Sequence, residues 1–253
     1  LQIYGDFAGY SYMAIGAAEM LGIHLPKNFD TPYFAQSIQE FWRRWHISLS
    51  TWFRDYVYFP LGGSRCAVWK KYRNVLIVFL VSGLWHGAMW NFVVWGAIHG
   101  LYQIFGGITK PLREKMLNAL RVDRETASYR LFRMAITFLL VDFAWLFFRA
   151  DGLGAAIAML RVIFTNLTPT ALVGEAFYTM GLDRQEFWAL LLCTGGMTLI
   201  DALRYRGHGI TEWFGRQNWL FRELALAAFM LIIITFGIWG NGFDASSFIY
   251  FKF

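Results

Sequence analysis

The fold of this chain is decided by one uncharged stretch, residues 74–109, which reads NVLIVFLVSGLWHGAMWNFVVWGAIHGLYQIFGGIT. None of these 36 residues is Asp, Glu, Lys or Arg. As one continuous helix the stretch would measure about 54 Å, whereas the hydrocarbon core of a bilayer is about 30 Å thick. It therefore has to fold back or run on obliquely, and a break near residues 87–91 would make a helical hairpin.

His86 lies beside the predicted break, within Leu84-Trp85-His86-Gly87. An ionisable side chain inside a membrane usually faces a cavity or a partner, because burying its charge in lipid costs about 3 kcal/mol. A neutral imidazole that is hydrogen-bonded inside a helix bundle fits the position equally well. His99 follows 13 residues later and shares a face with His86 only if the segment breaks between them. We expect a packing role for His99.

The composition places the whole chain in a membrane. Of its 253 residues, 57% are apolar and only 16% are charged, against about 25% charged in a soluble domain. Further helical segments are predicted at residues 7–23, 133–148, 186–203 and 223–239, with a shorter amphipathic helix at 153–164. The predicted fold class is an all-α, polytopic transmembrane helical bundle that forms a single domain over residues 1–253. Because the sequence starts at Leu1 without a Met, we expect it to be the C-terminal part of a longer chain, with further spans before it.

The net charge of +6 comes from basic residues that lie between the apolar runs. Three clusters, within residues 43–73, 110–133 and 204–222, follow the positive-inside pattern and predict a cytoplasmic location for these loops. This distribution argues against a nucleic-acid partner. The two cysteines, Cys66 and Cys193, form no CxxC pair, and no metal-binding motif or cofactor fingerprint is present. We therefore expect neither a metal site nor a bound cofactor.

Residues 31–60 form a segment in which aromatic residues alternate with arginines. Aromatic rings and arginines both favour the headgroup level of a bilayer, which predicts an interfacial segment. The turn-forming run Leu61-Gly62-Gly63-Ser64 follows it.

Two Trp-His steps carry the chemical signal: Trp45-His46 in the interfacial segment and Trp85-His86 in the uncharged stretch. A histidine in a dry aromatic setting is kept neutral by desolvation and is then available as a base. A placed histidine base typically contributes a factor of about 10² to 10⁴ in rate. Both histidines are therefore candidate catalytic residues.

The run from Phe41 to Arg65, which contains Arg54-Asp55-Tyr56-Val57-Tyr58-Phe59-Pro60-Leu61-Gly62-Gly63, resembles the membrane-bound O-acyltransferase (MBOAT) family, as does Trp85-His86-Gly87. Within that family the chain looks most like the membrane subunit of bacterial alginate O-acetyltransferases, and the resemblance extends along essentially the whole chain. It implies a bundle around a membrane-crossing cavity, with His86 as the family's essential histidine and His46 as the second. Gly5, Ala8 and Tyr12 depart from the usual pattern of relatives, near Asp6 rather than near the histidines.

The resemblance also implies an activity. We expect a multi-pass protein of the cell inner membrane that moves an acetyl or other short acyl group from a cytoplasmic thioester, best matched by acetyl-coenzyme A, towards an exported polysaccharide such as alginate. His86 would be the catalytic base, and periplasmic acetyltransferases would be partner proteins. The alternatives are D-alanyl or other acyl transfer to a cell-envelope polymer, and a transporter or export scaffold without catalytic activity.

Five residues beside the two Trp-His steps are candidates for substrate binding: Arg43, Arg44, Trp45, Trp85 and Asn91. The two arginines suit the phosphates of an acyl donor by charge-assisted hydrogen bonds, and they suit lipid headgroups equally well. The two tryptophans would shape the dry cavity.

Two acidic residues, Asp6 and Asp142, are supporting candidates. Asp142 is a carboxyl group inside a predicted span, where it would orient a histidine or form an ion pair with an arginine.

Overall fold

The computed structural model describes residues 1–166, Tyr178 and residues 183–237, and this part of the chain is helical without a β-strand. The all-α prediction is confirmed. The helices, in chain order, are α1 (Gln2–Met20), α2 (Ile38–Arg44), α3 (Ile47–Phe53), α4 (Val68–His86), α5 (Trp90–Ala119), α6 (Ala127–Arg149), α7 (Leu153–Thr165), α8 (Arg184–Tyr205), α9 (Ile210–Gly215) and α10 (Trp219–Phe236). A short 3₁₀ turn, Pro32–Phe34, precedes α2, and a π-helical turn, Arg54–Tyr58, continues α3.

The chain divides into two compact units, one of Leu1–Tyr10 with Tyr178–Phe253 and the other of Ser11–Phe177. In the first unit the Tyr4 hydroxyl donates a buried hydrogen bond of 2.7 Å to the Asp201 carboxylate. The second unit contains α2 to α7 and both candidate catalytic histidines. A single domain over residues 1–253 stays a prediction.

Among the described residues, four helices are long and apolar enough to cross a membrane: α5, α6, α8 and α10. The predicted segments 133–148 and 186–203 lie within α6 and α8, which confirms them as helices. Helix α10 covers most of the predicted segment 223–239, whose last two residues lie outside the described part. The short helix predicted at 153–164 is α7. Helix α1 starts and ends earlier than the predicted 7–23. Its earlier end coincides with a turn that contains Gly22 at φ 75°.

Of the two courses that its length allows, the uncharged stretch folds back, because α4 ends at His86 and α5 begins at Trp90. The backbones of the two helices are in direct contact at two glycines. A Cβ atom at Gly83 would lie 2.4 Å from the Phe92 carbonyl oxygen, and one at Gly96 would lie 2.2 Å from the Phe79 carbonyl oxygen. Small residues allow this close backbone approach between membrane helices.

The segment from His46 to Gly63 runs antiparallel to α4. At one end, the His46 ring lies 6.4 Å from the Trp85 ring, near the end of α4. At the other end, the Asn74 amide donates a 2.9 Å hydrogen bond to the Leu61 carbonyl, in the predicted turn where Gly62 and Gly63 both have positive φ. The segment thus follows α4 for about 17 Å, eleven residues at 1.5 Å each. Asn74 thus ties the turn to α4, and the interfacial location of the segment stays a prediction.

Candidate active site

His46 lies between α2 and α3 in a left-handed backbone conformation, with φ 44° and ψ 56°. Only a few per cent of residues other than glycine adopt such a conformation. Two backbone hydrogen bonds on either side hold it, from Asp30 N–H to the Arg44 carbonyl at 2.9 Å and from Ile47 N–H to the Asn28 carbonyl at 3.0 Å. The loop before α2 therefore fixes the place where the chain turns at His46.

The side chain of Asn28 fixes the orientation of the His46 ring. Asn28 Oδ1 lies 3.1 Å from His46 Nδ1, and the backbone N–H of Ser48 also points at this oxygen. On its other side, Asn28 Nδ2 donates to the Ser11 hydroxyl at 3.1 Å. Because Oδ1 can only accept, Nδ1 of His46 carries the proton, and Nε2 of the neutral ring carries the lone pair. This is the tautomer of a base that acts through Nε2.

The His46 imidazole is neutral at physiological pH. It lies outside the four candidate membrane-spanning helices, and burial lowers its pKa from the usual 6.5 to about 4. Desolvation disfavours the charged form of a histidine that is shielded from water, so the ring becomes protonated only at a much lower pH. His46 is therefore held ready to accept a proton rather than to donate one.

His86 is the last residue of α4 and is 6% exposed. Three aromatic rings meet it edge to face, with centroid distances of 4.8 Å to Trp85, 5.2 Å to Trp95 and 5.0 Å to Phe148. A Cβ atom at Gly87 would lie 2.7 Å from the Phe92 ring, so only glycine lets the chain turn immediately after His86. The hairpin turn thus places an imidazole in an aromatic enclosure.

The two histidines both lie close to the Trp85 ring. The Trp85 ring lies 6.4 Å from His46 and 4.8 Å from His86. The imidazoles are close enough for a charge on His46 to act on His86. Trp85 itself is 55% exposed, so one side of this pair is open. A pair of neutral imidazoles, one buried and one half-buried, with one accessible side can take a proton from a bound hydroxyl and return it to a leaving group.

A cavity of about 140 Å³ lies next to the histidine pair. Its walls come from α2, α3 and α4 and consist of Trp42, Leu49, Ser50, Phe53, Val78, Phe79 and Ser82. Ser82 is one helical turn before His86, and Ser50 N–H donates to the His46 carbonyl. An apolar cavity of this volume is comparable with one of about 150 Å³ that holds benzene. It can accommodate a group of a few heavy atoms.

The two tryptophans that the sequence placed at the site differ in their surroundings. The Trp85 ring lies close to both histidines, as described above. Trp45 is 2% exposed and stacks on Phe41 at 5.4 Å, with the Trp145 ring 5.1 Å away. Trp45 therefore packs in the core that supports α2.

Asn91 is completely buried, at the start of α5. Its amide nitrogen donates to the carbonyl oxygens of Phe147 and Ala150, at 3.3 and 3.1 Å. These carbonyls belong to the end of α6, where backbone acceptors lack partners within the helix. The amide nitrogen of Asn91 thus joins α5 to α6, and its role in substrate binding stays a prediction.

The two candidate arginines also differ in their surroundings. Arg44 forms an ion pair with Glu40 at 2.9 Å and donates to the Asp30 carbonyl and the Thr31 hydroxyl. Its guanidinium therefore stabilises the loop that carries Asn28. Arg43 is exposed on α2, where a phosphate can reach it.

Of the two acidic candidates, Asp142 is exposed on α6, and it forms no ion pair among the described residues. Neither of its predicted roles is seen there. Asp6 lies on α1 in the first unit, and its supporting role stays a prediction.

Sequence reasoning missed Asn28. It lies 18 residues before His46 in a loop without a helix or a recognised motif. The available signal was weak: an asparagine between a lysine and a phenylalanine, Lys27-Asn28-Phe29, following Pro26.

Comparison with known proteins identifies the family of this chain. Residues 1–139 match the model of the MBOAT, membrane-bound O-acyltransferase family, which is more than half of the chain. The chain belongs to the MBOAT family. The matched region contains both histidines, Asn28 and the whole α4/α5 hairpin.

Three relatives in this family carry descriptive names. The chain is 46% identical over 164 residues to "Probable alginate O-acetylase AlgI" of Azotobacter vinelandii, covering 65% of this chain and 31% of that protein. It is 43% identical over 160 residues to "Peptidoglycan O-acetyltransferase" of Helicobacter pylori, covering 63% and 29%. It is 41% identical over 107 residues to "Teichoic acid D-alanyltransferase" of Streptococcus thermophilus, covering 39% and 26%. The matched region spans about a third of the length of these curated relatives.

Proposed function

We propose that this MBOAT protein is an inner-membrane O-acyltransferase that moves an acetyl group from cytoplasmic acetyl-coenzyme A towards an exported polysaccharide, with His86 as the catalytic base. The observation that carries the proposal is that the imidazoles of His46 and of the buried His86 both lie against the Trp85 ring, in a chain that belongs to an O-acyltransferase family. The names of the relatives support a cell-envelope polymer as the destination of the acyl group.

The proposed reaction is acyl transfer from a thioester to a hydroxyl group. His86 takes the proton of the hydroxyl as its oxygen attacks the thioester carbonyl carbon, which forms the new C–O bond. The C–S bond then breaks, and the thiolate leaves and takes up a proton. His46, which is neutral and has its lone pair on Nε2, assists this proton transfer or positions the donor.

The cavity beside the histidines supports a short acyl group. Its volume of about 140 Å³ accommodates an acetyl group but is too small for a long fatty acyl chain. Its lining is apolar apart from the hydroxyls of Ser50 and Ser82. The exposed guanidinium of Arg43 is the group proposed to meet the donor phosphates.

Two further parts of the proposal follow from the same family relationship. Periplasmic acetyltransferases are the proposed partners, which would receive the acyl group before it reaches the polysaccharide. D-alanyl transfer is the second candidate, favoured by the relative from Streptococcus thermophilus, although that match covers less of the chain than the O-acetylase match.

The test compares acyl groups on the exported polysaccharide in cells that carry the full-length wild-type protein or its His86→Ala variant. We expect His86→Ala to abolish acylation at equal membrane abundance, whereas the exposed His24→Ala, as matched control, leaves it unchanged. Mild alkaline release followed by mass spectrometry distinguishes acetate from D-alanine. Full acylation in His86→Ala would contradict the catalytic role and favour a transporter or an export scaffold.

A further inference from the structure

His99 lies in the middle of α5 and is completely buried. The Trp42 indole N–H donates a hydrogen bond of 3.2 Å to its Nδ1 atom. A ring nitrogen that accepts must carry a lone pair, so the His99 ring is neutral and its proton is on Nε2. The ring therefore has one defined tautomer, which is set by a residue 57 positions away in the sequence.

Among the described residues, His99 satisfies one donor, the Trp42 indole, and leaves a buried donor of its own without a partner. Within the described part of the chain, the Nε2 atom of His99 has no hydrogen-bond partner, and neither has the indole nitrogen of the neighbouring Trp95. A buried donor without a partner costs about 1 to 3 kcal/mol. An apolar residue of similar size would avoid this cost, but it would not accept the Trp42 hydrogen bond.

The contacts of His99 lead to both catalytic candidates. On one side, the His99 ring lies 5.2 Å from Trp95, and Trp95 lies 5.2 Å from His86. On the other side, Trp42 belongs to α2, which ends two residues before His46. Trp42 also forms part of the wall of the cavity beside the two histidines.

We propose that His99 is a positioning residue that fixes α2 against α5 through Trp42, and thereby sets the distance between His46 and His86. This inference rests on the proposed acyl transfer. His99 contacts neither substrate nor reacting atoms in this role. A displacement of about 1 Å between catalytic groups can lower a rate by as much as about 100-fold.

The test uses the full-length protein in membrane vesicles, with acetyl-coenzyme A as donor, and measures kcat and KM separately. His99→Leu removes the acceptor, and Trp42→Phe removes the donor. We expect each to lower kcat by about 10- to 100-fold with little change in KM. Because both variants remove the same hydrogen bond, the double variant should lose no more than the more affected single variant. His99→Asn, which retains an acceptor near the place of Nδ1, should recover part of kcat.

Tyr102→Phe is the matched control, because the Tyr102 ring lies 6.0 Å from His99 and the substitution leaves the Trp42 hydrogen bond intact. It should retain wild-type kcat. Wild-type kcat in His99→Leu at equal abundance, or additive losses in the double variant, would overturn the inference. If His99→Leu does not reach the membrane, Trp42→Phe tests the same bond with the His99 ring in place.

The proposed function and the positioning role can fail separately. An active His86→Ala variant contradicts the proposed base. An inactive His86→Ala together with a fully active His99→Leu contradicts only the role of His99.

Discussion

Replacing Gly96 with alanine should force α4 and α5 apart, because their backbones touch at this glycine. The added Cβ would lie 2.2 Å from the Phe79 carbonyl oxygen, whereas ordinary contact begins at 3.4 Å, so a gap of about 1.2 Å has to open. Both atoms belong to helix backbones, and no side chain can rotate away to make room. Overpacking of this kind costs about 1 to 3 kcal/mol.

The same opening should reduce activity, since His86 lies on α4 and its neighbour Trp95 lies on α5, next to Gly96. A displacement of about 1 Å at the site can lower the rate by as much as about 100-fold. The assay is the melting temperature of the detergent-solubilised protein, together with polysaccharide acylation in cells.

Gly106→Ala on the same helix is the matched control, because a Cβ there meets nothing within 4 Å. Alanine is favoured over glycine inside a helix by about 1 kcal/mol, so this control should be neutral or slightly more stable. If Gly96→Ala proved as stable and as active as Gly106→Ala, the close packing of α4 on α5 would be refuted.

Three other results are expected. Asn91→Ala removes two buried hydrogen bonds to the end of α6 and should destabilise the protein by about 2 kcal/mol, seen as a lower melting temperature. An unchanged melting temperature would contradict the stabilising connection between α5 and α6. His46 is neutral in the folded protein down to a pH of about 4, where its pKa lies, whereas the unfolded chain takes up the proton near 6.5. The melting temperature should therefore fall as pH decreases from about 6.5 towards 4, and less steeply in His46→Gln; equal slopes would count against the buried neutral ring. Val78→Ala enlarges the cavity and should shift donor preference from acetyl- towards propionyl-coenzyme A by about tenfold. An unchanged preference in competition assays would contradict the proposal that the cavity binds the acyl group.

The sequence predicted those features that depend on the membrane or on a local pattern. The break after His86 follows from a comparison of the length of the uncharged stretch with the thickness of a bilayer, and the structure breaks at residues 87–89. The turn at Gly62 and Gly63 follows from its glycines. The choice of His46 and His86 as candidate catalytic residues followed from the two Trp-His steps and the family resemblance, whereas their proximity was not predicted.

The features that the sequence did not predict depend on single polar side chains that connect distant segments. Asn74 holds the turn at Leu61, and it thereby draws an aromatic and basic segment along α4. Asn28 selects the tautomer of His46 from a loop that has no regular structure. A local pattern carries no information on which loop carbonyl or ring nitrogen a buried amide will reach.

The left-handed backbone of His46 has a consequence for anyone who would engineer this protein. Asparagine and glycine adopt φ 44° and ψ 56° with less strain than histidine does. A search for stabilising substitutions would therefore select these residues at position 46, and each would remove the imidazole from the candidate active site. Under the proposed function, a replacement at residue 46 that relieves the backbone is therefore expected to raise thermostability and to lower turnover.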